Sequence, residues 1–203
     1  MINFKKFSLC LIIFVFFSIF AFSNVRAWDV GVFVNDKNLD VSLQNIVFSY
    51  SGTPVYVGSE LLYSKSGESS TTSWLVKPYF MVTDFYKKPI DIGVGFHNYF
   101  GRIGNREDNK AGIITFGFLF EAKVNLRKLF PDLPILVLGH LSYSPEILCF
   151  DQAKRELGGD ISLAWKLNNP AAILITYKIV KINTTKNFEW NKYILMLGVK
   201  VSF

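Results

Sequence analysis

The chain ends in the segment Tyr193-Ile194-Leu195-Met196-Leu197-Gly198-Val199-Lys200-Val201-Ser202-Phe203. Large apolar side chains stand at every second position of this segment, from Tyr193 to Phe203. Successive side chains of a β-strand point to opposite faces, so this period of two predicts a strand with one continuous apolar face. The other face mixes apolar residues with Gly198, Lys200 and Ser202. The segment therefore predicts a two-faced strand that ends on phenylalanine.

The same alternation recurs upstream. It is clearest in residues 90–97, 113–122, 156–165 and 173–179, where large apolar residues alternate with smaller or polar ones. We predict ten strands, at residues 28–35, 41–50, 55–64, 73–84, 90–101, 111–125, 135–144, 155–167, 171–182 and 191–203. This pattern predicts an all-β, antiparallel fold.

The composition of the smaller face indicates which side meets solvent. In a water-soluble sandwich the bulky face points inward and charges cover the outside, whereas here the smaller face is rich in glycine, serine and threonine, as suits a confined interior. A lipid-facing outer surface around a polar lumen fits this arrangement. We therefore predict a transmembrane β-barrel of about ten strands, with eight as the alternative count.

The predicted connections alternate in kind. Proline-containing turns lie near residues 52–54, 86–89, 130–134 and 168–170, and longer hydrophilic segments at 65–70, 104–110, 145–154 and 183–191. The first hairpin, residues 36–40, is short on the side of the longer segments. Short turns at one rim and long loops at the other are typical of outer-membrane barrels.

The amino terminus predicts a secretory signal peptide over residues 1–27. Two lysines precede an uncharged apolar run from Phe7 to Ser23, and Val25-Arg26-Ala27 supplies modest or small residues at the cleavage positions. A single amino-terminal transmembrane helix is the alternative. Cleavage would leave 203 − 27 = 176 residues, so that residues 28–203 form the barrel domain.

Composition excludes several classes of protein. Half of the 203 residues are hydrophobic and 19% are charged, which argues against disorder. Removing Lys5, Lys6 and Arg26 lowers the net charge from +6 to +3, so basicity gives no reason to expect a nucleic-acid partner. Cys149 is the one cysteine after residue 27, and no cysteine–histidine cluster has the spacing of a structural zinc site. We predict no metal and no other cofactor.

The terminal strand also indicates location. With Tyr193 and the final Phe203 it looks like the signal that the bacterial outer-membrane assembly machinery recognises; a buried terminal strand of a periplasmic domain is the alternative. We predict a monomer in the outer membrane of a Gram-negative cell, in contact with lipid and lipopolysaccharide, with both termini periplasmic. The aromatic residues predicted near the membrane interfaces are Trp28, Tyr63, Trp74, Tyr143, Trp165 and Tyr193.

Charged residues on the smaller faces predict a network inside the lumen. The acids are Glu60, Asp91, Glu121, Glu156 and Asp160, and the bases are Lys77, Lys123, Lys166, Lys178 and Lys200. His97 is predicted to face the interior as a hydrogen-bonded spacer. Ten strands leave a narrow bore, and an unpaired buried charge costs several kcal/mol, roughly, so a cross-braced plug is favoured over a selective pore.

One set of residues predicts chemistry. His140 and Ser142 share a face of one strand and Glu156 begins the next, which is a possible Ser/His/carboxylate arrangement. Some outer-membrane barrels that deacylate lipid A carry a His-x-Ser pair, so a hydrolase of that kind is the alternative function. A working set needs the base within hydrogen-bonding reach of the nucleophile, which spacing alone does not provide. We predict a structural, interaction or narrow-pore role without catalysis.

The carboxy-terminal third also resembles a known family. A glycine-bearing strand runs from Gly139 into Tyr143-Ser144-Pro145, and a strand over residues 156–165, a turn at Pro170 and the terminal strand follow. This succession is similar to that of the YfaZ-type outer-membrane proteins over about the last 70 residues. The resemblance implies a small outer-membrane barrel and supplies no catalytic residues.

Overall fold

A computed structural model describes residues 26–50, 53–65, 71–84, 89–106, 109–131, 133–168, 170–186 and 188–202. The strands are β1 (Arg26–Val34), β2 (Asn38–Tyr50), β3 (Thr53–Lys65), β4 (Thr72–Val82), β5 (Ile90–Arg106), β6 (Asn109–Asn125), β7 (Ile135–Ser144), β8 (Cys149–Asp151), β9 (Ala153–Asn168), β10 (Ala171–Thr184) and β11 (Glu189–Ser202). Two 3-10 helices span Leu126–Lys128 and Glu146–Leu148. Within these ranges no helix is long and apolar enough to cross a membrane.

Ten long strands form a closed antiparallel barrel. Neighbours in the chain pair with each other, β7 pairs with β9, and the ring closes where β1 pairs with β11. The predicted ten-stranded antiparallel barrel is therefore confirmed, and the alternative of eight strands is wrong. The predicted signal peptide and Phe203 lie outside the described residues, except that the backbone of Arg26 and Ala27 begins β1.

The short strand β8 was not predicted. It lies inside the segment expected to be a loop at residues 145–154, and it pairs with Ile113, Ile114 and Thr115 of β6. Strand β7 pairs with β6 only as far as Phe118. Strand β8 therefore continues the pairing of β6 beyond the end of β7.

The predicted difference in loop length between the rims is wrong. We call the rim where β1 begins and β11 ends the terminal rim, and the other the opposite rim. At the opposite rim, β5 and β6 leave only residues 107–108 between them, and β10 and β11 leave only 185–188. At the terminal rim the β6–β7 connection spans residues 126–134. Strands extend into the expected loops because inward apolar residues next to or within them are buried, such as Ile103 just before residues 104–110 and Trp190 within residues 183–191.

The outer surface of the barrel is apolar. On β11 the exposed fractions of Leu195, Leu197 and Val199 are 61%, 58% and 48%, and outward residues of the other long strands behave similarly. Aromatic side chains that are 40% to 56% exposed belong to this surface: Tyr63, Trp74, Tyr143, Trp165, Tyr193, Phe80, Phe118, Phe120 and Tyr177. Trp28 is partly buried. We call this surface the apolar belt.

The interior is layered. Toward the opposite rim an apolar core fills the barrel, and its buried members are Leu62, Leu75, Tyr99, Ile103, Ala111, Ile113, Ala153, Val180, Ile182, Phe188, Trp190, Ile194 and Met196. A smaller apolar cluster contains Leu138, Ala164 and Leu174. Charged side chains lie in the lumen as well, and they form the candidate site.

Candidate functional site

Ion pairs cross the lumen between strands that are not neighbours. Lys178 of β10 pairs with Asp40 of β2 and with Glu60 of β3, and its side chain is 6% exposed. Lys77 of β4 adds a pair within one wall, since its Nζ lies 3.9 Å from Glu60 Oε2 on the neighbouring strand β3, whereas both Lys178 pairs cross the lumen. Because β10 and β3 are well separated around the barrel, the Lys178 pairs brace one wall against the other.

A second chain of charges runs across three adjacent strands. His140 Nδ1 lies 2.7 Å from Asp160 Oδ1 and His140 Nε2 lies 2.8 Å from Glu121 Oε2. Lys123 Nζ is 2.7 Å from Glu121 Oε1. Because both ring nitrogens of His140 face carboxylates, both donate, and the ring is an imidazolium. Asp160 is also the cross-strand neighbour of Lys178, so the two sets of ion pairs adjoin.

A third polar cluster is sealed from solvent. Glu156 Oε1 accepts a hydrogen bond from Ser142 Oγ at 2.8 Å, and Glu156 Oε2 accepts one from Ser144 Oγ at 2.8 Å. His97 Nε2 donates to Glu156 Oε2 at 3.1 Å, and the side chains of both are 0% exposed. Among the described residues His97 Nδ1 has no partner. We call these four residues the sealed cluster.

Two glycines make room for the sealed cluster. A methyl group at Gly117 would overlap Ser144 Oγ and the His97 ring, and one at Gly158 would overlap Ser142 Oγ. The alternation of glycine with large residues on β6 and β9 therefore has a local cause, since a larger inward residue would displace the buried hydrogen bonds.

The hydrolytic set considered from the sequence is not assembled. His140 is held between Asp160 and Glu121, while Ser142 donates to Glu156, so the candidate base does not contact the candidate nucleophile. The closest serine–histidine contact, Ser144 Oγ to His97 Nε2, is 3.4 Å long. Because that nitrogen already donates to Glu156, it has no lone pair with which to accept a proton from Ser144.

The other predicted lumen residues lie nearer the terminal rim. Lys200 Nζ is 2.8 Å from Asp29 Oδ2, and Ser202 Oγ donates a hydrogen bond to Asp29 Oδ1 at 2.6 Å. Asp91 accepts a hydrogen bond from the backbone of Asp84. Neither Asp91 nor Lys166 forms an ion pair with another residue in the described part of the chain.

Sequence reasoning missed Asp40. It was assigned to the hairpin at residues 36–40, whereas it lies inside β2 and is 2% exposed. A signal was present, because Asp40, Ser42 and Gln44 stand two apart and alternate with Val41 and Leu43. Extending the predicted strand 41–50 by one residue would have placed Asp40 among the inward charges.

The charged side chains surround a cavity of about 90 Å³. Asp40, Glu60, Lys77, His140, Asp160 and Lys178 are among the residues that line it. It has room for roughly six water molecules at about 15 Å³ each. The exposed fraction is 29% for the His140 side chain, 21% for Lys123 and 31% for Lys200, but 0% for Ile103 and 1% for Trp190. Water therefore reaches the side chains of His140, Lys123 and Lys200 from the terminal rim, and the apolar core closes the other side.

Comparison with known proteins adds no site. Neither a protein-family model nor a curated protein sequence matches the chain. Within the described ranges, no group of three histidine, cysteine, aspartate or glutamate side chains is placed to hold a metal ion. The function is therefore argued from the barrel, its apolar belt and its filled lumen.

Proposed function

We propose that this chain is an integral outer-membrane β-barrel of a Gram-negative bacterium, with a structural or interaction role and a lumen that does not conduct solutes. The observation that supports it most is the inverted distribution of polarity. Large apolar side chains cover the outside of a closed barrel, and ion pairs lie inside it. Removing one such side chain from water lowers the free energy by about 1.5–3 kcal/mol. A whole belt of them exposed to water would therefore be strongly unfavourable, whereas contact with lipid satisfies it.

The filled lumen supports a non-conducting role. The apolar core occupies the barrel toward the opposite rim, and its members Leu75, Ile103 and Trp190 are at most 1% exposed. On the side of the core that faces the terminal rim, Lys178 of β10 pairs with the carboxylates of Asp40 on β2 and Glu60 on β3. A solute would have to displace both layers, whereas an aqueous porin has a far wider barrel of 16 to 18 strands, roughly.

The remaining assignments belong to the same proposal. The start of β1 and the end of β11 lie together at one rim, which we assign to the periplasm, and lipopolysaccharide would surround the opposite half. The terminal strand, with Tyr193 and Phe203, would be recognised by the outer-membrane assembly machinery. We propose membership of the YfaZ-type family on the resemblance of the last 70 residues or so. Catalysis is not part of the proposal, because His140 contacts two carboxylates instead of Ser142.

Membrane location is tested by cell fractionation together with heat-modifiable migration on a gel. The proposal predicts that the chain sediments with the outer membrane after carbonate extraction, and that unboiled protein migrates differently from boiled protein because a folded barrel resists detergent. A chain that remains soluble after removal of residues 1–27 would contradict it.

Orientation is tested with a protease recognition sequence. Inserted between Gly67 and Glu68, in the chain segment that joins the end of β3 to the start of β4, both of which lie at the opposite rim, it should be cut when protease is added to intact cells. The matched control places the same sequence after Pro131, at the terminal rim, where cleavage should require a permeabilised outer membrane. The reverse pattern would contradict the proposed periplasmic termini.

A further inference from the structure

The connection between β6 and β7, residues 126–134, exposes large apolar side chains at the terminal rim. The exposed fractions of Leu129, Phe130 and Leu133 are 53%, 57% and 40%. The connection is nevertheless ordered by its own backbone: the amides of Leu129 and Phe130 donate to Leu126 O at 2.9 and 2.7 Å, and that of Leu133 donates to Phe130 O at 3.0 Å. Its apolar side chains thus project from a defined turn, beyond the barrel wall.

The end of β9 lies beside this connection and adds to its apolar surface. The amide of Lys166 donates to Pro134 O at 3.0 Å, and Trp165 is the cross-strand neighbour of Ile135. Trp165 and Leu167 are 50% and 53% exposed. We call the described residues 126–131, 133–134 and 165–167 the rim patch. Because Trp165 belongs to the apolar belt, the rim patch continues that belt to the terminal rim.

Cations accompany the apolar side chains of the rim patch. Arg127 and Lys128 occupy the 3-10 helix and are exposed, and Lys166 is exposed on β9. The one acid in residues 126–134 and 165–167 is Asp132, which lies outside the described residues, so the formal charge is 3 − 1 = +2. Exposed leucine, phenylalanine and tryptophan next to lysine and arginine are the combination that settles at an anionic lipid interface.

We propose that the rim patch binds anionic phospholipid in the leaflet that surrounds the terminal rim. Phe130, Leu129 and Leu133 would enter the boundary between headgroups and acyl chains, and Arg127, Lys128 and Lys166 would contact the lipid phosphates. Charge complementarity selects the anionic headgroup, and continuity with the apolar belt places the patch at the depth of the headgroups. This proposal rests on the proposed membrane location.

The test uses the full chain folded into phosphatidylcholine vesicles, with a tryptophan introduced by Phe130→Trp. Position 130 is exposed, so the larger ring is accommodated, and the emission of the unmodified chain, with its four tryptophans, is subtracted. Brominated phosphatidylcholine or brominated phosphatidylglycerol, at equal mole fraction, reports lipid contact by quenching. Acrylamide reports contact with water. Both leaflets have one composition, so the direction of insertion does not matter.

We expect brominated phosphatidylglycerol to quench the added emission more strongly than brominated phosphatidylcholine, with a preference of about threefold. Replacing Arg127 and Lys128 by alanine should abolish the preference. The matched control, Lys37→Ala with Lys65→Ala, removes two exposed cations at the opposite rim and should preserve it.

Three results would overturn the proposal. Equal quenching by the two lipids would show that the patch does not recognise the anionic headgroup. A preference that survives replacement of both Arg127 and Lys128 would show that these cations do not bind the lipid phosphates. Quenching by acrylamide alone would show that the patch lies in water and would remove the lipid from the proposal. Its failure is distinguishable from that of the membrane location, because Trp74 points outward in the apolar belt and lies outside the rim patch, so the emission of the unmodified chain should be partly quenched by both brominated lipids in every inserted barrel. If it is not, the membrane location itself is wrong.

Discussion

The two ends of the lumen are filled with different chemistry. Toward the opposite rim, Leu75, Ile103 and Trp190 are at most 1% exposed and belong to one apolar core. Toward the terminal rim, the side chains of His140 and Lys123 are 29% and 21% exposed and belong to ion pairs. The difference indicates that apolar packing closes the barrel at one end, whereas His140 and Lys123 toward the other end are reached by both partners and water. The Glu156 side chain, which is 0% exposed, depends on its hydrogen-bond partners alone.

The largest effect should come from the apolar core. Trp190→Ala removes a large side chain that is 1% exposed, and it should lower the free energy of unfolding by about 3–5 kcal/mol. The measurement is reversible guanidinium unfolding in lipid vesicles. Trp74→Ala is the matched control, because Trp74 points outward and is 43% exposed, so its loss should be clearly smaller. Equal losses would mean that the core does not close the barrel.

The sealed cluster should be the next most sensitive region. Glu156→Ala leaves Ser142, Ser144 and His97 without their shared acceptor, and it should cost about 3 kcal/mol of unfolding free energy. Glu121→Ala should cost less than half as much, because its partners His140 and Lys123 are 29% and 21% exposed and water can solvate both of them. A larger loss from Glu121→Ala would reverse the proposed contrast between the two ends.

A third comparison uses glycines. Gly117→Ala and Gly158→Ala should each lower the unfolding free energy by about 1–3 kcal/mol, since the added methyl overlaps the sealed cluster. Gly139→Ala is the matched control: the nearest atoms to its added methyl are backbone oxygens at 3.9 Å, an ordinary contact. Comparable losses at positions 139 and 117 would attribute the effect to strand propensity instead of to crowding.

The smallest effect concerns reactivity and leaves stability unchanged. Cys149 lies in the connection beyond β7 and packs partly against the apolar core. Burial raises the pKa of its thiol to about 11, so at pH 8 the thiolate fraction, and with it the rate of alkylation by iodoacetamide, should be about 100-fold below that of a free thiol. In a Cys149→Ser background, Ser42→Cys in the lumen cavity should react faster. A fast Cys149 would contradict a tightly packed closed end.

The barrel was predictable because its signal is local. Alternation within β9 or β11 shows which residues share a face, so inward positions such as Asp160 and Lys178 follow from parity alone. The ion-pair and hydrogen-bond partners of these inward residues cannot be predicted in the same way, because they depend on the register of strands that are far apart in the sequence. Lys178 meets Asp40 over a separation of 138 residues, and His97 meets Glu156 over 59. The sequence therefore predicted a charged lumen, and could not distinguish its braced part from its sealed part.

The strand ends were least predictable for a related reason. Residues 104–110 are polar enough to suggest a loop, yet Ile103 and Ala111 are buried on facing strands and extend the pairing on both sides. Strand β8 is similar, since its three residues form a strand only because β6 continues past the end of β7. Such elements depend on a neighbouring edge that no short window of sequence contains.

The central claim is that the membrane barrel is closed, and ion conductance across planar lipid bilayers tests it most directly. The folded, heat-modifiable protein should insert without producing conductance steps, because the apolar core and the Lys178 ion pairs fill the lumen. Trp190→Ala, provided that it remains folded, serves as the comparison in which steps could appear. Regular steps from the unmodified protein, at a size that scales with salt concentration, would contradict the account.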